Sequence, residues 1–299
     1  MAELAEIIAP YEGITLTDSQ SLFPDSQGEG LPLIHIRSAL CEAVVAPQGA
    51  QLLSLVRADG TPLLWLSPQC HFEAGKALRG GIPVCLPWFG PHPDGDKPQH
   101  GFARTRDWML TQIAQAEDGR CELSFELNHA GDDLYPAAFS ARLRMRLGQH
   151  AELELEIRNE SRAEAYFTWA LHSYLPVDDV ARAVVPALAG RQYRDNLQNH
   201  ARLTQKGPLM FPGEVDRVFE RIEEPVELGP NPSLRIEHDN APSLIAWNPG
   251  AEKAAKMKDM GAGNEQTFVC LERGAVLDEG WTLAAGESRR ARMMIKAGA

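Results

Sequence analysis

Residues 141–157 read ARLRMRLGQHAELELEI, and their alternation decides the fold class. Ala141, Leu143, Met145 and Leu147 alternate with Arg142, Arg144 and Arg146. Beyond Gly148-Gln149-His150, Ala151, Leu153, Leu155 and Ile157 alternate with Glu152, Glu154 and Glu156. A period of two puts one set on each face of a strand, and the short polar tripeptide between the runs suits a hairpin turn. Paired, the strands bury an apolar face and set three arginines opposite three glutamates. The basic run therefore reads as support for a sheet, not as an anion site.

Further strands are expected at Leu33–Ile36, Ala43–Val45, Leu52–Val56, Cys121–Leu127, Ala165–Tyr174, Ala183–Val185, Leu244–Trp247, Thr267–Leu271 and Ala291–Ile295. They are short and separated by Gly, Pro, Asn and Asp, which predicts an antiparallel all-β sandwich. Helical signals are confined to the first few residues, Arg191–Asn199 and Ala251–Met260. No repeat or linker is evident. The Gly/Pro-rich segment 80–101 carries Ile82, Val84, Leu86, Trp88 and Phe89, too apolar for a solvated tether. Residues 1–299 are expected to form a single domain.

Composition narrows the functional classes. The chain is 44% hydrophobic and 23% charged, ordinary for a globular protein. A net charge of −12 argues against broad nucleic-acid or anionic-membrane binding, though not against a local basic pocket. The five cysteines, Cys41, Cys70, Cys85, Cys121 and Cys270, form no C-x-x-C pair, which reads as buried thiols in a reducing cytosol. The start MAELAEIIAP lacks a basic segment followed by an apolar one, and no run approaches the roughly 18 apolar residues of a membrane span. A cytoplasmic protein, acting as a monomer, is the expectation.

Four segments carry candidate chemistry. Residues 79–104, RGGIPVCLPWFGPHPDGDKPQHGFAR, form a rigid Gly/Pro loop around Arg79, Gln99, His100 and Arg104. Guanidinium forks match phosphate oxygens, although Gly and Pro also serve simply as chain punctuation. In EAYFTWALHSYL, 164–175, strand parity sends Phe167, Trp169 and Leu171 to the core and Thr168, Ala170 and His172 to the opposite face. TFVCLERG, 267–274, puts Glu272 at the end of an apolar strand, as a surface residue or as a carboxylate in a partly dry pocket. In GEVDRVF, 213–219, Asp216 stands beside Arg217, where a local ion pair is the plain reading.

Taken in order, RGGIPVCLPWFGP, PQHGFAR, TWALHSYL, GEVDRVF, AWNP with the following KAAKMKDM, and VCLERG resemble the aldose 1-epimerase (galactose mutarotase-like) superfamily. More narrowly they resemble its hexose-6-phosphate branch, over roughly residues 30 to 295. The resemblance implies a large antiparallel β-supersandwich with an open active-site cleft. It also implies a histidine general acid, matching His172, and a glutamate general base, matching Glu272. Substrate contacts match Arg79, Gln99, Arg104 and Asp216, with His100 lining the site and the two arginines facing a phosphate. The implied reaction interconverts hexose 6-phosphate anomers by ring opening and reclosure, with no cofactor and no metal. Near neutral pH, Glu272 is expected to be ionised, while His172 needs a raised pKa or an active protonated minority.

Three other functions fit parts of this pattern. An aldose 1-epimerase acting on unphosphorylated sugar would not repay two buried cations. A glycoside hydrolase would use Asp216 and Glu272 as its carboxylate pair. A non-catalytic sugar-phosphate-binding module would have no use for His172 and Glu272 together.

Overall fold

A computed structural model describes residues 2–92 and 94–298, so Pro93 of the 92–97 loop lies outside the described residues. The hairpin forms in the expected register, with Arg142 opposite Glu156, Arg144 opposite Glu154 and Arg146 opposite Glu152. Flanking strands extend the charge ladder. Glu122 and Glu126 face Arg146 and Arg142 on one side, and Arg290 and Arg292 face Glu156 and Glu154 on the other. Beneath the ladder, the apolar residues of both hairpin strands are fully buried.

Among the described residues the architecture is a β-sandwich built from antiparallel ladders, with few short helices. A seven-stranded sheet runs in the order Val226–Leu228, Leu234–Asp239, Ser288–Ala297, Ala151–Asn159, Phe139–Leu147, Cys121–His129, Met109–Gln115. An eight-stranded sheet runs Ala201–Thr204, Gln192–Asp195, Val215–Phe219, Ser243–Asn248, Phe268–Ala275, Trp169–Leu171, Val84–Cys85, with Tyr174–Pro176 also paired to Phe268–Ala275. A four-stranded sheet, Ile14–Asp18 to Gln51–Arg57, stands beside them. Leu143, Leu153 and Met293 from one large sheet join Leu171, Leu244 and Val269 from the other in one apolar cluster. Each such side chain contributes about 1.5–3 kcal/mol on burial.

Alternation in the eight-stranded sheet positions the site. Val215 and Phe219, Leu244 and Ala246, and Val269 and Leu271 face the shared core. Asp216 and Val218, Ile245 and Trp247, and Glu272 face the other way, into a cleft. Register aligns these residues in rows, with Val218, Ile245 and Glu272 in one and Asp216 and Trp247 in the next.

Three local expectations change. The run 165–174 is not one strand: Ala165–Phe167 pairs with Trp281–Leu283, whereas Trp169–Leu171 and Tyr174–Pro176 pair with Phe268–Ala275. Segment 191–199 is a strand, Gln192–Asp195, followed by one 3-10 turn, because pairing with Val215–Phe219 overrides its weak helical pattern. The helix in 251–260 covers only Gly250–Ala254.

Candidate active site

Glu272 sits within Phe268–Ala275 rather than at a strand end, because pairing with Ser243–Asn248 and Trp169–Leu171 carries the strand past it. Leu171 pairs with Arg273 and Tyr174 with Cys270. The same register puts His172 opposite Glu272, at the break between two short strands. There the His172 amide donates to the Pro83 carbonyl at 2.9 Å. His172 Nε2 lies 3.4 Å from Glu272 Oε1.

The tight turn before Pro83 brings in the arginine loop. Gly81 has φ +61°, and a Cβ there would stand 2.1 Å from the Leu52 carbonyl oxygen, so this close approach requires glycine. Across a cleft of about 420 Å³ gather Arg79, Gln99, His100, Arg104, His172, Asp216 and Glu272. These are all seven residues singled out in the sequence. Trp247, Asn196, His200, Lys253 and Met257 complete much of its wall.

The two arginines are not equivalent. Arg79 donates through Nε to Asp259 Oδ2 at 3.0 Å and through Nη1 to Tyr174 Oη at 2.9 Å, with Nη2 also 2.9 Å from Asp259 Oδ2. Arg104 donates through Nη2 to the Gln99 carbonyl at 2.7 Å, and its buried Nε has no partner. Among the described residues no carboxylate pairs with Arg104 within 4.0 Å, whereas Arg79 is paired with Asp259. His100 accepts from the Gly90 amide through Nδ1 at 3.1 Å, which leaves its proton on Nε2. Burial, with Arg104 and Arg79 nearby, holds its pKa down to about 3, so it is a neutral donor.

Burial pushes the Glu272 carboxyl well above the usual carboxylate range, and the Asp216 charge adds to this against a smaller opposing pull from Arg104. Burial also pushes the His172 imidazole well below its usual value, reinforced by His100, Arg104 and Arg79. Both residues are thereby driven toward their neutral forms. The push runs against the expectation of an ionised Glu272, whose sequence context did not disclose complete burial. Asp216 does not pair with Arg217, because neighbours on a strand face opposite ways. It accepts instead from Asn196 Nδ2 at 2.7 Å, while Arg217 donates to Gln205 Oε1 at 2.7 Å.

A carboxyl–imidazole pair 3.4 Å apart, flanked by polar donors and a guanidinium, is equipped to move protons on a polar small molecule. The family model described as Aldose 1-epimerase matches residues 32–296. The chain belongs to the aldose 1-epimerase family. It is 34% identical over 284 residues to a Cenchrus ciliaris protein named "Putative glucose-6-phosphate 1-epimerase", covering 90% of this chain and 85% of that one. A Salmonella typhimurium protein of the same name is 34% identical over 252 residues, covering 82% and 84%. The crystal structure of a Salmonella typhimurium protein described as a "putative mutarotase" superposes with a TM-score of 0.82 at 31% identity, covering 90% of this chain and 91% of that one. This aldose 1-epimerase is accordingly an isomerase of sugars.

Sequence reasoning assigned no role to Tyr174, Asp259, Asn196 or Trp247. Tyr174 was within reach, since it shares a strand face with His172 two residues away. Asp259 gave no local signal, because its partner Arg79 lies 180 residues distant. Asn196 falls in a segment whose strand character comes from tertiary pairing.

Proposed function

We propose that this aldose 1-epimerase interconverts the α and β anomers of glucose 6-phosphate and similar hexose 6-phosphates. The observation that carries the reading is Arg104, a guanidinium without a carboxylate partner in the cleft that holds the His172–Glu272 pair. The names printed for the two relatives point to the same substrate. We also read residues 1–299 as one galactose mutarotase-like domain, in keeping with an apolar cluster that runs from Ile8 to Ile295.

In this reading Glu272, as carboxylate, removes the proton of the C1 hydroxyl while His172, as imidazolium, protonates the ring oxygen. The C1–O5 bond breaks and C1 becomes an aldehyde. Rotation about C1–C2 presents the other carbonyl face, and the C5 hydroxyl adds to it. That hydroxyl returns its proton to His172, and Glu272 returns the other to the new C1 oxygen, so both residues are reset. The two side chains lie close enough to serve two oxygens on one carbon. Burial works against this charged microstate, and positioned transfer of this kind contributes about 10²–10⁴-fold. Asp216, Gln99 and the neutral His100 hold hydroxyls, and Arg104 takes the phosphate.

The test is kcat/KM for glucose 6-phosphate and for glucose in wild type, Arg104→Ala and Arg79→Ala. A hydrogen bond to a charged group contributes about 1.5–3 kcal/mol, so Arg104→Ala should cost the phosphosugar about ten-fold to a few hundred-fold. Glucose should be nearly unaffected by that change. Arg79→Ala, whose charge Asp259 already balances, should affect the two substrates more evenly. Equal losses on both substrates in Arg104→Ala would remove the phosphate assignment.

A further inference from the structure

His172 lacks the hydrogen bond that commonly orients a working imidazole: its Nδ1 is buried without a partner. Its plane is set by rings instead. Tyr174 stacks on it with centroids 4.9 Å apart and planes 12° apart. Trp247 and His100 meet it edge-on, at 5.9 Å and 5.8 Å. Tyr174 is itself immobilised, since Trp65 stacks behind it at 5.8 Å and Phe268 backs Trp65 at 4.3 Å. The Tyr174 hydroxyl accepts from Arg79 Nη1, and Asp259 grips the other side of the same guanidinium.

We propose that Tyr174 is a positioning residue that steadies Arg79 through its hydroxyl and the His172 ring through its stack, with Asp259 holding the other side of the guanidinium. The inference rests on the proton-transfer role given to His172 above. Arg79 lines the cleft, whereas the buried Tyr174 does not. Tyr174 therefore acts through its neighbours. Five N–H groups on a planar fork let Arg79 serve Asp259 and Tyr174 and still present donors to substrate. Seating a substrate on those donors also fixes Arg79 against the Tyr174 hydroxyl, while the stacked ring keeps Nε2 of His172 aimed toward Glu272. The hydroxyl and the ring of Tyr174 thus do separable work. The hydroxyl steadies Arg79, which bears on substrate affinity, and the ring steadies His172, which bears on turnover.

The experiment measures kcat and KM for glucose 6-phosphate anomerisation in Tyr174→Phe, Asp259→Asn, the double variant and Tyr174→Leu, with His172→Asn as control. Folding is checked by circular dichroism, and the His172 ring nitrogens are followed by ¹⁵N NMR. Phe keeps the stack and loses the hydroxyl, so KM should rise about three- to ten-fold with kcat within about twofold of wild type. Asp259→Asn should raise KM similarly, and the double variant should add little, because both changes act on one guanidinium. Leu removes the stack, so kcat should fall at least about ten-fold while the His172 signals move from one tautomer to an averaged mixture. An unchanged KM in Tyr174→Phe, or additive KM effects in the double variant, overturns the role of Tyr174 at Arg79, and wild-type kcat in folded Tyr174→Leu overturns its role at His172. The two KM results decide the matter at Arg79 even if Tyr174→Leu does not fold. Wild-type turnover in His172→Asn would instead remove the role of His172 on which the inference rests.

Discussion

Glu272 and His172 are each driven toward their neutral form, and complete burial is the chief cause. Glu272→Gln keeps the carboxyl's shape without its basicity, and His172→Asn removes the ring acid. Each should slow turnover by about 10²-fold or more while changing KM far less. Activity should fall on the acid side as His172, held below its usual value, gains a second proton, and on the alkaline side as Glu272, held above its usual value, loses one. Stability follows the same shifts with opposite signs. A raised carboxyl pKa favours the fold below the unfolded value of 4.5, and that contribution is lost as pH rises toward the folded value. A depressed imidazole pKa favours the fold above 6.5, and that contribution is lost as pH falls. Tm measured against pH should therefore show Glu272→Gln gaining on wild type as pH rises above 4.5. His172→Asn should gain as pH falls below 6.5.

At the scale of elements, the site depends on a broken strand and on the loops threaded beside it. Ending Trp169–Leu171 before His172 lets the Pro83 carbonyl take the His172 amide, and the Gly81 carbonyl takes the Tyr174 amide at 2.9 Å. The loop that bears Arg79 is thereby stitched alongside the proton-transfer pair. Gly81→Ala would force a Cβ onto the Leu52 carbonyl oxygen at a left-handed φ, at a cost of about 1–3 kcal/mol. Thermal unfolding should report a matching drop in Tm, with kcat/KM falling as Arg79 shifts. Gly213→Ala, where a Cβ meets nothing within 4 Å and φ is not left-handed, should leave both close to wild type. Arg273, beside Glu272 on the core-facing side, donates to the Ile222 carbonyl at 2.6 Å and the Glu224 carbonyl at 2.9 Å. It ties the strand that carries Glu272 to the loop beneath, and burial lowers its pKa to about 10.

Across the whole molecule, one large sheet carries the ladder and the other carries the cleft, with the shared core between them. Arg144 reaches Glu122 and Glu154, each at 3.3 Å, on a partly exposed face. Pairs of this kind contribute about 0–1 kcal/mol each. Arg144→Ala should accordingly lower stability by less than about 1 kcal/mol in urea unfolding, with kcat/KM unchanged on both substrates. A selective loss on the phosphosugar would instead make the basic run an anion site. The sequence by itself determined the hairpin of 141–157 and the faces of its strands, because a period of two is local and survives in any register. Ala170 and His172 opposite the core, and the arginine–glutamate ladder, were legible for that reason. The motif order along the chain also disclosed the family and the seven cleft residues. Only the tertiary structure decided that Asp259 neutralises Arg79 while Arg104 has no carboxylate partner, that Asn196 holds Asp216, and that Glu272 is buried and driven toward its neutral form. Each of these turns on contacts between residues far apart in the chain, and on a burial that exists only once two sheets and a loop have closed around the site.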